Sequence, residues 1–150
     1  MPGPYRRRRV FQPPNFVNFK PSGIPRRALK MITLAVDEYE AIRLADYNGL
    51  DHTQAAENMG ISRPTFSRLV EKARNKIAQA LVDGMELIVE GGNIEFANTR
   101  RRCLDCGDEY LSPYSEKIND CPECGSDNIE DIADNFIKKK NNENKRGDNV

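Results

Sequence analysis

Two pairs of cysteines have the spacing of a metal site. The chain has 150 residues and four cysteines, arranged as C-x2-C-x14-C-x2-C. Two residues between the members of a pair let one tight turn direct both sulfur atoms at the same ion. Two such pairs complete a tetrahedral site that leaves no position for water or substrate, so the predicted site is structural. The predicted ligands are Cys103, Cys106, Cys121 and Cys124.

Zinc is the metal that four thiolates at this spacing favour, and iron is the alternative. Cysteine pairs followed by glycine, as Gly107 and Gly125 follow these, also hold a single iron in rubredoxins. Disulfides are disfavoured because we expect the protein in the reducing cytoplasm. The charged N-terminus is not followed by the apolar stretch of a secretory signal, and no apolar run is long enough to cross a bilayer. We therefore expect a structural zinc ion and no membrane partner.

A second set of residues has the pattern of a helix-turn-helix. In HTQAAENMGISRPTFSRLVE, the small residues Ala56 and Gly60 stand where two helices must cross closely. A plain helical hairpin shares one or two such features by chance. Here seven positions agree, because apolar residues also fill the five sites that bury the angle between the helices, which are Ala55, Met59, Ile61, Phe66 and Leu69.

The polar side of the second of these helices carries residue types that can bind nucleic acid. An arginine can donate two hydrogen bonds to guanine, and small hydroxyls can bond either bases or phosphates. The predicted DNA contacts are Ser62, Arg63, Thr65, Ser67 and Arg68, followed by Lys72, Arg74 and Lys76 for the DNA backbone. A solvated helix face is the alternative explanation for the later cations. His52, the only histidine, is expected to be a surface residue.

The charges are distributed unevenly along the chain. Residues 1–30 carry eight basic groups and no acid, while residues 103–137 carry one basic and ten acidic groups, although the formal net charge is zero. Six of the nine prolines also lie in residues 1–30, which therefore read as an extended, mobile arm. Its arginines are predicted to enter a minor groove or to follow phosphates, with a solubilising tail or an RNA contact as alternatives. They are Arg6, Arg7, Arg8 and Arg9.

The elements that must position these residues read as a mainly α fold. Helices are predicted from Asp37, capped with Glu40, from Asp51, capped with Gln54, and from Ser62 to about Val82, with an apolar stripe from Phe66 to Leu81. The runs MELIVE and IEFAN, which flank two glycines, predict a short β-hairpin. The predicted domains are a basic arm over 1–30, a helix-turn-helix domain over 31–84, a hairpin and small zinc ribbon over 85–137, and a disordered tail over 138–150.

The combined motifs resemble a prokaryotic family. The stretches RRRRV, FKPSGIP and LAVDEYEAIRLADYNGLDHTQAAENMGISRPTFSRLVEKARNKIAQAL, with the two cysteine pairs, are similar to the uncharacterised family called domain of unknown function 134, over about residues 1–125. Its reader unit is similar to region 4 of sigma factors, and the family is thought to use it on DNA. The resemblance implies DNA contacts from the residues at 62, 63, 65, 67 and 68, and metal ligation by the four cysteines.

These observations predict a sequence-specific DNA-binding transcriptional regulator that reads the major groove with the helix starting at Ser62. The alternative is an adaptor that uses the helical unit and the acidic ribbon to bind protein, for example the transcription machinery. An enzyme is not expected, since no carboxylate pair or nucleophile-base set has a recognisable spacing. The expected partners are double-stranded DNA, a second copy of the chain and the transcription machinery.

Overall fold

The chain forms two compact units in a computed structural model that describes residues 7–137. Among the described residues, the first unit contains Arg7–Val10 and Pro14–Glu95, and the second contains Phe11–Pro13 and Phe96–Ile137. Arg6 and the tail predicted over 138–150 lie outside the described residues.

Both units contain β-sheet, so the predicted mainly α fold class is wrong and the fold is mixed α/β. In the first unit, β1 (Arg8–Val10) pairs with β5 (Ile94–Phe96). A second sheet has β4 (Glu86–Val89) between β2 (Asn18–Phe19), which is antiparallel to it, and β3 (Met31–Leu34), which is parallel. Strands β1 and β2 come from the proline-rich segment and are three and two residues long. Such strands are too short to show a period of two, which is why the sequence did not reveal them.

The predicted β-hairpin is also wrong, because β4 and β5 pair with different partners. Strand β4 places Leu87 opposite Ile32 of β3. Strand β5 instead joins β1, and the Arg8 N–H donates to the Asn93 carbonyl at 2.8 Å. The glycine pair between the two strands therefore connects two sheets. A local pattern identifies a strand, but the partner of that strand is chosen by tertiary packing.

Three α-helices complete the first unit: α1 (Val36–Ile42), which continues as a π-helical segment (Arg43–Tyr47), α2 (His52–Met59) and α3 (Arg63–Asp83). The predicted cap of the first helix at Asp37 is wrong. Ala35 precedes the helix, and its N–H donates to the Glu38 carboxylate at 2.9 Å.

The predicted starts of the other two helices are confirmed. Asp51 accepts a hydrogen bond from the Gln54 N–H at 2.8 Å and caps α2. Ser62 caps α3 by accepting from the Thr65 N–H at 3.3 Å. Gly60 ends α2 with a φ of +69°, a conformation that favours glycine.

The apolar sides of α1, α2 and α3 pack into one core. Five of the seven helix-turn-helix positions that the sequence singled out are buried, Ile61 is half-buried against the same cluster, and Gly60 is exposed. Leu81 of the predicted stripe is instead 81% exposed, so the buried side of α3 ends at Ala80.

Four acidic side chains are buried in the first unit, and each is paired with a cation. Removing the partner of a buried carboxylate leaves an uncompensated charge, which costs on the order of 3 kcal/mol. Two of the cations, Arg8 and Arg26, precede residue 31, so these pairs hold the N-terminal segment in place. The pairs are Asp37 with Arg8 at 2.7 Å, Glu38 with Lys76 at 2.6 Å, Glu40 with Arg43 at 2.5 Å, and Glu86 with Arg26 at 2.8 Å.

The second unit is an antiparallel sheet with a short helical stretch over residues 132–137. Its central strand β6 (Asn98–Cys103) pairs with β7 (Glu109–Pro113) and β8 (Ile129–Asp131). Residues 11–13 join it through hydrogen bonds from Asn98 to the Phe11 carbonyl at 2.9 Å and from Arg100 to the Pro13 carbonyl at 2.7 Å. None of the helices in the described part of the chain has the length and apolar composition that crossing a bilayer requires.

The two neighbouring glycines between β4 and β5 should differ in their tolerance of a side chain. At Gly92, with a φ of +100°, an added Cβ would lie 2.8 Å from Asp37 Oδ1, whereas at Gly91, with a φ of +78°, it would meet nothing within 4 Å. We expect Gly92→Ala to lower the free energy of unfolding by about 3 kcal/mol or more, because it adds a displaced buried carboxylate to the backbone strain.

Urea denaturation followed by circular dichroism measures this loss, with Gly91→Ala as the matched control. That control carries only the backbone strain, about 1 to 2 kcal/mol. Equal losses in the two variants would show that the Asp37 contact does not matter.

Candidate nucleic-acid interface and metal centre

The exposed surface of α3 carries three cations. Arg63 lies in the first turn, Arg68 and Lys72 follow further along the helix, and all three are exposed. Among residues 7–137, none of the three takes part in an ion pair. Their positive charge is therefore available to an anionic ligand in solvent.

The hydroxyl residues of the same helix have partners within the protein. Ser62 Oγ donates to Thr65 Oγ1 at 2.8 Å while it caps the helix. Ser67 Oγ lies 2.7 Å from His52 Nδ1, and both residues are half-buried. Ser67 thus links α3 to α2. Among the predicted DNA contacts from residue 62 to residue 68, Arg63 and Arg68 are exposed and form no ion pair with the described residues.

His52 is not the plain surface residue that the sequence suggested. Its ring packs edge-on against Phe66, with the ring centroids 5.3 Å apart, in addition to its contact with Ser67. The sequence shows that His52 lies in the first turn of α2 and that Phe66 begins the apolar stripe of α3. Only the crossing of the two helices brings them together.

Two of the later cations on α3 serve the fold. Lys76 donates to the Thr33 carbonyl at 2.9 Å and to the buried Glu38 carboxylate at 2.6 Å. Arg74 forms a two-bond pair with Asp46, at 2.7 and 3.0 Å, and its hydrogen bonds lower the pKa of the Asp46 carboxyl. These two residues are thus engaged with carboxylates, whereas Lys72 is not.

The described members of the arginine run have different environments. Arg8 is half-buried on Asp37, while Arg7 and Arg9 are exposed. Arg7 and Arg9 make no ion pair with the described residues. Arg7, Arg8 and Arg9, which the sequence treats alike, are therefore not equivalent.

The four cysteines of the second unit converge on one point. Their sulfur atoms all lie within 4.8 Å of one another, with Cys103 to Cys124 at 3.5 Å and Cys106 to Cys121 at 3.7 Å. A tetrahedral zinc with bonds of about 2.3 Å sets its sulfur atoms roughly 3.8 Å apart. The donor set thus fits one tetrahedral metal ion.

The two cysteine turns have matching backbone geometry. Gly107 N–H donates to the Cys103 carbonyl at 2.9 Å, and Gly125 N–H donates to the Cys121 carbonyl at the same distance. Both glycines have a positive φ, +78° and +75°. In each turn the first cysteine is buried and the second is exposed, so one side of the centre faces solvent.

Amides in each turn point at the first sulfur. The Cys106 N–H lies 3.5 Å from Cys103 Sγ, and the Glu123 N–H lies 3.4 Å from Cys121 Sγ. The Cys106 amide lowers the pKa of the Cys103 thiol to about 7. The Cys106 amide thus favours the thiolate of Cys103, which is the form that binds metal.

Polar contacts between the turns support the centre, and no pattern in the sequence pointed to them. Asp105, from the first turn, accepts hydrogen bonds from Ser126 and from the Asn128 side chain. The Cys103 N–H also donates to the Asp108 carbonyl at 2.8 Å. The Asp105 contacts therefore join the two cysteine turns through the protein itself.

Comparisons with known proteins identify relatives along most of the chain. A UPF0251 protein of Chloroherpeton thalassium is 51% identical over 146 residues, which cover 97% of each chain. One from Methanothermobacter thermautotrophicus is 44% identical over 139 residues, covering 93% of this chain and 72% of the relative. One from Desulforudis audaxviator is 48% identical over 124 residues, covering 81% and 80%.

A family model described as "Protein of unknown function DUF134" matches residues 1–97. The match includes the arginine run and the three helices, and it ends before the first cysteine. This extent is shorter than the resemblance over about residues 1–125 that the sequence suggested. With this match and relatives of up to 51% identity, the chain belongs to the DUF134 family.

Proposed function

We propose that the protein is a sequence-specific DNA-binding regulator of transcription and that α3 is its reading helix. The observation that carries this proposal is the division of α3 into two sides. One side packs in the core with α1 and α2, and the exposed surface carries Arg63, Arg68 and Lys72, none of which forms an ion pair among residues 7–137. A cationic helix face of this kind suits the major groove of a DNA duplex.

The path of the chain before α3 supports a helix-turn-helix. Helix α2 ends at Gly60, and α3 starts three residues later at Arg63. The turn residue Ile61 packs on the same core as Met59 and Phe66. Because α2 and the core fix the N-terminal turns of α3, Arg63 and Arg68 are held ready to meet base edges or phosphates.

The distribution of charge favours the first unit as the part of the chain that binds DNA. Residues 96–137 hold four basic and ten acidic groups, and four bound thiolates add further negative charge. Phosphates would be repelled from this surface. The second unit is better suited to supporting the fold or to binding a basic protein. Its acidic charge is the observation that favours the adaptor as the second candidate.

We propose zinc as the metal of the second unit, held by the four cysteines in a closed structural site. Zinc suits four thiolates in tetrahedral array. When bound, the metal supplies cross-links between β6 and the two turns, and it leaves no coordination position for a reaction. Described residues 96–137 bury only four apolar side chains, two of them ligands, so this unit has little else to hold it together.

The reading role of α3 predicts the behaviour of an arginine variant. Arg68→Ala should weaken binding to a duplex selected from host genomic fragments by about 1 to 3 kcal/mol and reduce the preference over a scrambled duplex. Fluorescence anisotropy across a salt titration measures both quantities. Arg27→Ala, which removes an exposed arginine outside α3, is the matched control and should change neither.

The same titration separates DNA binding from the adaptor function. Affinity that depends on phosphate contacts falls steeply with salt. If the protein does not bind duplex DNA, or if its affinity does not change with salt, the regulator proposal is wrong and the adaptor is the remaining candidate.

The metal proposal predicts that the second unit depends on its ion. The purified protein should contain one zinc per chain, and cobalt substitution should give the visible bands of a tetrahedral thiolate site. Removing the metal with a chelator, or by Cys106→Ser, should make residues 96–137 exchange their amide hydrogens rapidly while α2 and α3 stay protected.

The matched control for this experiment is Arg68→Ala, which should retain the metal. Metal affinity should also fall as the pH is lowered, because protons compete for the thiolates. Protein that lacks metal and shows unchanged protection of β6 would contradict the structural role, and iron in place of zinc would contradict the identity.

A further inference from the structure

The first strand directs successive arginines to opposite sides. Side chains alternate along an extended strand, so the neighbours Arg8 and Arg9 cannot have the same environment. Arg8 turns inward to Asp37 at 2.7 Å, and Val10, on the same side, is fully buried. Arg9 turns outward and is exposed.

The outward arginine lies over the turn that leads into α3. A Cβ built on Gly60 would lie 3.8 Å from Arg9 Nη2, so the guanidinium occupies the space beside the residue that ends α2. Ser62, the cap of α3, is two residues further on. Arg9 makes no ion pair with the described residues. A cation from β1 is therefore placed beside the start of the reading helix.

The backbone that carries Arg9 is fixed on both sides. The preceding N–H, that of Arg8, donates to the Asn93 carbonyl at 2.8 Å, and the Arg8 side chain is held by Asp37. Val10 follows with no exposed surface. A guanidinium on such a strand loses less conformational entropy on binding than one on a flexible arm.

We infer that Arg9 binds a DNA phosphate at the edge of the site read by α3. This inference rests on the proposed function and deepens it. Of the two alternatives that the sequence left open for the arm, a minor groove or the phosphates, it selects a phosphate for Arg9, and it makes β1 a rigid contact instead of a mobile arm. Arginine suits this role because its planar guanidinium can donate two hydrogen bonds to one phosphate. Arg8, by contrast, is occupied by Asp37 and serves to position the strand.

A phosphate contact has a signature that separates it from base reading. Its removal weakens binding to all sequences alike and lowers the salt dependence of the affinity by about 0.9 in the log-log slope for each phosphate that is no longer neutralised. The test measures affinity for two DNA duplexes, one selected from host genomic fragments and one scrambled, across a range of salt concentrations. The full chain is used as wild type, Arg9→Gln, Arg9→Lys and Arg27→Gln.

We expect Arg9→Gln to reduce the slope by about 0.9 on both duplexes, with the ratio of the two affinities unchanged. Arg9→Lys should keep the slope because it keeps the charge, and Arg27→Gln should behave as wild type. Thermal unfolding of Arg9→Gln should also match wild type, since the side chain is exposed and unpaired.

Three results would overturn the inference. If Arg9→Gln keeps the wild-type slope of affinity against salt, as Arg27→Gln should, then Arg9 contacts no phosphate. The proposed reading by α3 would still stand in that case if Arg68→Ala weakens binding. If Arg9→Gln changes the ratio between the duplexes, the residue reads bases instead. If wild type binds neither duplex in a salt-dependent manner, the proposed function fails and this inference fails with it.

Discussion

Four buried carboxylates impose the constraint on which the first unit depends. Asp37, Glu38 and Glu40 lie close together in the opening turns of α1, and Glu86 begins β4. Each lies out of water, and a buried carboxylate is tolerated only beside a cation. The cations come from several parts of the chain, so the ion pairs fasten the N-terminal segment to α1 and to β4, and α3 to α1.

This constraint separates cations that stabilise the fold from cations that are available to a ligand. Arg8, Arg26, Arg43 and Lys76 are used inside the first unit, and Arg74 is engaged by Asp46 on its surface. The exposed Arg9, Arg63, Arg68 and Lys72 remain beside or along α3. A polyanion that approaches this unit therefore meets a small set of positioned charges, and the proposed DNA binding depends on that set more than on the total charge of the chain.

The second unit is stabilised in a different way. Within residues 96–137, the buried apolar side chains are those of Phe96, Cys103, Cys121 and Ala133. So small a core contributes little hydrophobic stabilisation, and the four thiolates supply a site where a metal ion can provide the rest. Part of the interior of this unit is polar. The buried Arg101 guanidinium is paired with Asp131 at 3.6 Å and donates a hydrogen bond to the Glu116 carbonyl.

The sequence by itself determined the features that depend on neighbours in the chain. The caps at Asp51 and Ser62, the seven positions between α2 and α3, and the spacing of the cysteines all follow from contacts across a few residues or one turn. Tertiary structure alone decided the features that join distant segments. It paired β5 with β1 instead of β4, formed the ion pair between Arg8 and Asp37, and placed the Arg9 side chain beside Gly60. The physical reason is that strand partners and buried ion pairs are selected by packing in three dimensions, which an arginine run or a short apolar stretch does not encode locally.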